Sequence, residues 1–271
     1  MSRSFLFIPG DVPRMIQQLE VFDADNVILD FEDSVALHQK DEARNLVESF
    51  LTNHPLKQPF IYIRINAVDT DDFESDVKTV NTLPIKGIVL PKASIASIDT
   101  LTQKTKLPII ALMETPQSFL EITEIAKHPR VEGLLLGAED LSRSLHLKRT
   151  VNGEEILYVR SQLVLNAKAY GKLAIDTPFT NLTSREDFIT DLKKSTQCGF
   201  DAKAAIHPNH IALIHDYFSP TEEAIKEAKR IITYAEKHQS IRFSLDGKMV
   251  DKPIIERAKR TLELAKRYQL L

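Results

Sequence analysis

Eight short apolar runs recur along this 271-residue chain, and most stop at an acid, a base or a turn pair. Phe5–Ile8 ends at Pro9-Gly10, Val27–Leu29 at Asp30, Ile61–Ile63 at Arg64, and Ile88–Leu90 at Pro91-Lys92. Ile109–Met113 ends at Glu114 and Leu134–Leu136 at Gly137-Ala138-Glu139-Asp140. Leu173–Ile175 ends at Asp176, and Ala204–Ile206 at His207. Strands buried on both faces read as continuous apolar runs of this kind. Between them lie amphipathic stretches of helical period: Pro13–Phe22, Lys40–Leu51, Asp72–Asn81, Ser97–Lys104, Pro116–Lys127, Glu155–Tyr170, Arg185–Cys198 and Glu222–Lys237. Strand alternating with helix predicts a parallel α/β architecture.

An open doubly wound sheet is the rival. Its first turn would carry G-x-G-x-x-G, whereas this chain reads PGDVPR there and has no P-loop. Eight strands in a chain close to ~250 residues predict a closed (β/α)8 TIM barrel. Barrel active sites lie at the C-terminal strand ends, so the residues that close the runs predict an enzyme. Beyond Lys237 the pattern changes. The string IRFSLDGKMVDKPIIERAKRTLELAKRYQLL predicts a hairpin turning at Asp246-Gly247, then a helix entered at Asp251-Lys252-Pro253. The expected organisation is a barrel over 1–237 and a C-terminal extension over 238–271, which is either a packing appendage or a lid.

Bulk properties narrow the class further. A 43% hydrophobic content supports a packed core, and a net charge of −3 gives no basic footprint for nucleic acid or an anionic membrane. The apolar runs fall far short of the ~18 residues of a membrane span. The chain enters a strand at once, without the charged and apolar regions of a signal peptide. Its one cysteine, Cys198, excludes an internal disulfide and a cysteine-rich metal site. A cytoplasmic enzyme is expected, with neither a nucleic-acid nor a membrane partner.

Glu114 and Asp140 follow the fifth and sixth runs, so adjacent loops would bring both carboxylates to one mouth. Two carboxylates without a cysteine or histidine ligand suit a hard cation, Mg2+ above all. The alternative is that one of them caps the following helix. Arg64 offers a planar fork for a carboxylate, or else a salt bridge to Glu32 or Asp33. That acid pair would order water around a cation, orient Arg64, or simply start a helix. His207, in IHPNH, reads as structural by default, and Lys92 and Lys203 as phosphate contacts or solvated surface. Arg3, Arg14, Lys40 and Arg44 cluster near the first two strand ends and would suit a polyanionic tail.

The strings RSFLFIPGDVPR, VILDFEDSV with KDEAR, YIRIN, GIVLPKA, ALMETP, GLLLGAEDLSRSL, YVRSQLVLNAKAYG, AIDTPF, GFDAKAAIHPNHI and FSLDGKMVDKP occur in this order. In them the chain resembles, almost end to end, the citrate lyase β-subunit-like (CitE-like) branch of the HpcH/HpaI aldolase superfamily. The resemblance implies a Mg2+-dependent lyase that breaks or forms a carbon–carbon bond between acetyl- or propionyl-CoA, or a carrier-bound thioester, and a 2-keto acid. By position Glu114 and Asp140 match the family's Mg2+ ligands, and Arg64 the arginine that binds the keto-acid carboxylate. Arg14 matches a basic residue near the CoA phosphates, and Ile206-His207 contacts to the thioester arm. Asp251 matches a lid aspartate that serves a neighbouring subunit, which implies a trimer or a multiple such as a hexamer.

Three positions depart from the common pattern. Ala202 and His146 stand where glycine is usual, and Val159 where alanine is usual. Ala202 is expected to narrow the passage for a pantetheine arm, and His146 to reshape the loop after Asp140. The implied substrates are a malyl-, citramalyl- or citryl-CoA. The alternatives are a β-subunit that takes its thioester from a carrier protein within a complex, and a malate-synthase-like condensing thioesterase.

Overall fold

Eight parallel strands pair in chain order, and the eighth closes on the first. The computed structural model describes residues 2–56, 59–238 and 242–271. The strands are β1 (Ser4–Pro9), β2 (Asn26–Asp30), β3 (Phe60–Arg64), β4 (Gly87–Leu90), β5 (Ile109–Met113), β6 (Val131–Leu136), β7 (Leu173–Asp176) and β8 (Ala202–Ala205). The helices between them are α1 (Pro13–Ile16), α2 (Lys40–Asn53), α3 (Phe73–Val80), α4 (Ile95–Thr102), α5 (Pro116–Leu120), α6 (Ile122–Lys127), α7 (Ala138–Ser144), α8 (Leu157–Ala169) and α9 (Arg185–Cys198). Then follow α10 (Ile211–Phe218) and α11 (Glu222–His238), the antiparallel pair β9 (Phe243–Leu245) and β10 (Lys248–Val250), and α12 (Lys252–Arg267).

The chain forms two compact units, one over Ser2–His215 and one over Asp216–Leu271. In the first, strand pleating sends alternate side chains inward. Phe5, Ile28, Tyr62, Val89, Ile110, Leu135, Ile175, Ala202 and Ala204 make one buried cluster. The barrel interior is therefore packed with side chains, as eight-stranded barrels require. The alternate set, including Leu6, Ile8, Val27, Leu29, Ile61 and Ile63, is also buried and packs outward beneath the helices. In the second unit the apolar stripe of α11 (Ala228, Ile231) meets Val250, Ile255 and Ala258. The Asp246-Gly247 turn has both residues at positive φ, 50° and 76°, the geometry a two-residue hairpin demands. The string expected to begin that hairpin starts at Ile241, which lies outside the described residues.

Several expected bounds are corrected. Helix α1 stops at Ile16 and not at Phe22, because the chain leaves it in successive tight turns, with Asp23 at φ 53°. Pro116–Lys127 is two helices with a break at Glu121, whose ψ is 2°. The eighth strand begins two residues before the expected run. Strand β8 is the alanine-rich Ala202–Ala205, with Ile206 beyond its end. Alanine is a weak strand former, but Ala204 lies opposite Phe5 in the ladder, where a small residue leaves room for the ring. No helix among the described residues is long and apolar enough to cross a membrane.

Candidate active site

The alternation that fills the barrel also delivers the site. Continuing the inward positions to the C-terminal rim gives Asp30, Arg64, Glu114, Gly137, Thr177 and Ile206. With Glu139 and Asp140 from the first turn of α7, they line a cavity of about 280 Å3. That volume matches a small acid and not a whole CoA.

Arg64 holds Asp30 in a bidentate pair, Nε to Oδ1 at 2.7 Å and Nη2 to Oδ2 at 2.6 Å. Asp30 also accepts the N–H groups of Glu32 and Ser34. Burial alone would raise its carboxyl, but the Arg64 guanidinium holds it below the usual carboxylate range. The salt bridge expected to Glu32 or Asp33 is present as a second layer: Nη1 lies 2.9 Å from Glu32 Oε2 and 3.5 Å from Asp33 Oδ2. Yet Glu32 Oε2 is buried without a hydrogen bond, and burial pushes its carboxyl up to about 7, with the Asp33 and Asp30 charges adding to the rise. Arg64 is thus clamped by acids and still borders the cavity.

Glu114 is 3% exposed. Burial pushes it up to about 8, with the Lys92 N–H pulling it down and the Glu32 and Asp140 charges pushing it further up. Its Oε1 accepts that N–H at 2.7 Å. Lys92 makes the bond from a backbone at φ 47°, a conformation that costs a non-glycine residue ~1–3 kcal/mol and clusters at functional sites. Gly137 sits so near that a Cβ there would lie 2.5 Å from the Cβ of Glu114. Asp140 opens toward solvent, with its carboxylate 2.6 Å from Arg143.

Glu114 and Asp140 therefore border one cavity, and burial leaves Glu114 short of compensating charge. Among the described residues no set of three or more His, Cys, Asp or Glu side chains is arranged to ligate one ion. A cation here would be held by two carboxylates and complete its shell from water and substrate oxygens, as Mg2+ does. A buried, raised carboxyl beside a second carboxylate is the donor set such an ion needs, and the residues fit.

The other expected residues are more dispersed. Ile206 lines the cavity and is 42% exposed. His207 does not line it; its Nδ1 accepts the Asn209 N–H at the start of a short turn. Arg14 stands exposed on α1. Asp251, in the second unit, caps α12 by accepting the Ile254 N–H. The expected basic cluster is not assembled: Arg3 pairs with Asp25, Lys40 donates to the carbonyls of Phe31 and Glu32, and Arg44 binds Asp41, Asp72 and Asp76. Two further expectations fail. Ala202 is fully buried in the barrel interior, four residues before Ile206, and narrows no passage. Lys203 is neither surface nor phosphate contact: it is fully buried, 2.9 Å from Asp176 and 2.7 Å from Asp191. His146 does sit in the left-handed region at φ 55°, just after α7, where a helix end prefers glycine. Sequence reasoning missed Thr177 and Gly137, whose only signal was their period-two spacing from the strand residues before them.

A closed parallel barrel whose C-terminal rim holds a largely apolar cavity with Arg64, Glu114 and Asp140 converging on it defines a (β/α)8-barrel enzyme. The chain belongs to the HpcH/HpaI aldolase/citrate lyase family, whose sequence model matches residues 3–208. It is a carbon–carbon lyase of that family. It is 35% identical to the citrate lyase subunit beta of Haemophilus influenzae, covering 98% of this chain and 97% of that one. It is 31% identical to a (3S)-malyl-CoA thioesterase of Cereibacter sphaeroides, covering 97% and 94%. Its fold matches the crystal structure of CitE from Mycobacterium tuberculosis in complex with magnesium, acetoacetate and coenzyme A. The TM-score is 0.85, at 31% identity and 98% of each chain.

Proposed function

We propose that this enzyme uses Mg2+ to cleave a β-hydroxy acyl-CoA thioester of malyl, citramalyl or citryl type into acetyl- or propionyl-CoA and a 2-keto acid. The observation that carries the reading is the buried Glu114 beside Asp140 on a small cavity that Arg64 also borders. The CitE complex with magnesium, acetoacetate and coenzyme A supports it.

In this reading Glu114 and Asp140 hold the cation. When bound, Mg2+ lowers the energy of the substrate alkoxide and polarises the forming keto group. Arg64 has five N–H donors, three of which face Asp30 and Glu32. Its guanidinium borders the cavity, where the donors left over would bind the substrate carboxylate and align the breaking bond. The apolar rim of Phe7, Leu112, Leu136 and Ile206 excludes water from the thioester enolate. Arg14 meets the CoA phosphates, and Ile206-His207 the thioester arm. Asp251 returns a proton to the acetyl carbon, delivered by a neighbouring copy in a cytoplasmic homotrimer or hexamer.

The test is turnover of malyl-, citramalyl- and citryl-CoA with and without Mg2+, following keto-acid release. Mg2+-dependent release from one of them supports the reading. Silence on all three favours the second reading, a β-subunit fed by a carrier protein, which the citrate lyase relatives support. Free CoA appearing beside the acid would indicate a condensing thioesterase. Asp251→Asn should lower kcat by ~10²–10⁴. Co-expression of Asp251→Asn with Asp140→Ala should restore part of the activity, because mixed assemblies hold one intact site; no restoration would refute delivery between copies.

A further inference from the structure

We infer that Thr177 is a positioning residue for the helix that carries Asp140, and that Lys203 holds it there from beneath the barrel wall. This inference rests on the metal-binding role of Asp140.

The first N–H groups of a helix have no partner inside it and are usually met by the side chain of the preceding residue. Helix α7 cannot use that device. Its N-cap is Gly137 and makes no side-chain cap, because a Cβ there would lie 2.5 Å from the Cβ of Glu114 and 3.0 Å from its Oε2. The close approach that brings the two proposed ligands together thus strips α7 of its own cap. The acceptor comes instead from the next strand end: Ala138 N–H donates to Thr177 Oγ1 at 3.3 Å. Asp140 follows two residues later in the same turn.

Thr177 is itself pinned. Its carbonyl accepts from Lys203 Nζ at 2.7 Å, and the same ammonium donates to Asp176 Oδ2 at 2.9 Å. Arg160 grips Asp176 through both its oxygens, at 3.0 and 2.9 Å, and Asp191 at 2.6 Å. Asp191 Oδ2 lies 2.7 Å from Lys203. This quartet is buried, from 0% exposed for Asp176 and Lys203 to 6% for Asp191. Buried ion pairs seldom add stability over apolar packing of the same volume, so what the quartet contributes is a fixed position for the Asp176-Thr177 backbone. The path runs from Lys203 through the Thr177 carbonyl and hydroxyl to the N-terminus of α7, and so to Asp140.

The experiment uses the whole chain with Mn2+ as the metal probe, read by electron paramagnetic resonance, and amide exchange of residues 138–141 in metal-free protein. Thr177→Val keeps the shape and removes the acceptor. It should weaken Mn2+ binding about three- to tenfold, the worth of one hydrogen bond, and speed exchange at Ala138. Thr177→Ser should restore both. The double variant Lys203→Met/Asp191→Asn removes one charge of each sign and leaves Arg160 an acceptor. It should weaken binding similarly, with little further loss when Thr177→Val is added, as expected of residues acting in series. Thr177→Val with wild-type affinity and wild-type exchange would overturn the inference. Wild-type protein and Asp140→Ala are run alongside: equal Mn2+ binding by those two would instead overturn the metal role of Asp140.

Discussion

Two clusters of charge adjoin at the seventh strand, and they are built on opposite principles. Outside the barrel wall, Arg160 and Lys203 face Asp176 and Asp191, two cations against two anions, with short contacts throughout. Despite burial, the Asp191 carboxyl is held well below the usual range by Lys203 and Arg160. At the rim, Asp30, Glu32 and Glu114 gather around the buried guanidinium of Arg64, with Asp140 beside them on the exposed Arg143, and Asp30 takes one bidentate edge of Arg64. There Glu32 and Glu114 rise to about 7 and about 8. Balanced charge in a desolvated place is architecture; an unmet excess of carboxylates calls for a cation from outside.

The contrast is broken most sharply at Asp140. Asp140→Ala should cut Mg2+-dependent cleavage by ~10³ or more and leave the thermal midpoint unchanged, because its partner Arg143 is 79% exposed and such pairs contribute little. Undiminished turnover would remove the metal role. The reverse pattern is expected of the quartet: Lys203→Met leaves two buried carboxylates to one arginine and should destabilise by ~3–5 kcal/mol in urea unfolding. A loss below ~1 kcal/mol would show that the cluster is less desolvated than its burial implies.

A further effect concerns pH. Glu114 moves up from 4.5 to about 8 on folding, so the folded chain holds a proton that the unfolded chain releases. Its contribution to metal-free stability is complete below about pH 4.5, falls as pH rises, and is gone above about pH 8. Glu114→Gln should flatten that part of the profile in denaturation curves without Mg2+. An unchanged slope would mean that Glu114 is already ionised.

The barrel was legible because strands buried on both faces leave continuous apolar runs, and Arg64, Glu114 and Asp140 were legible because they end such runs. Asp176 also ends one, yet it faces outward. The period of two sends Asp30, Glu114 and Thr177 into the barrel, and a one-residue difference sends Asp176 under α8 and α9. Lys203 is hidden from local pattern for a related reason: an alanine-rich strand with a lysine in it does not look like a strand, and lysine is rarely buried without partners. Its partners come from β7 and α9, far apart in the chain. The cap from Thr177 to α7 is likewise a contact across 39 residues, which no local pattern encodes.

The most direct test is calorimetric titration of Mg2+ into the metal-free protein in buffers of different ionisation enthalpy. The rim's carboxylate excess predicts one ion per chain. It also predicts release of nearly one proton near pH 7, where Glu114 gives up the proton it holds, and almost none at about pH 9. Absence of binding, or binding with no proton release at either pH, would contradict a metal site built on an uncompensated Glu114.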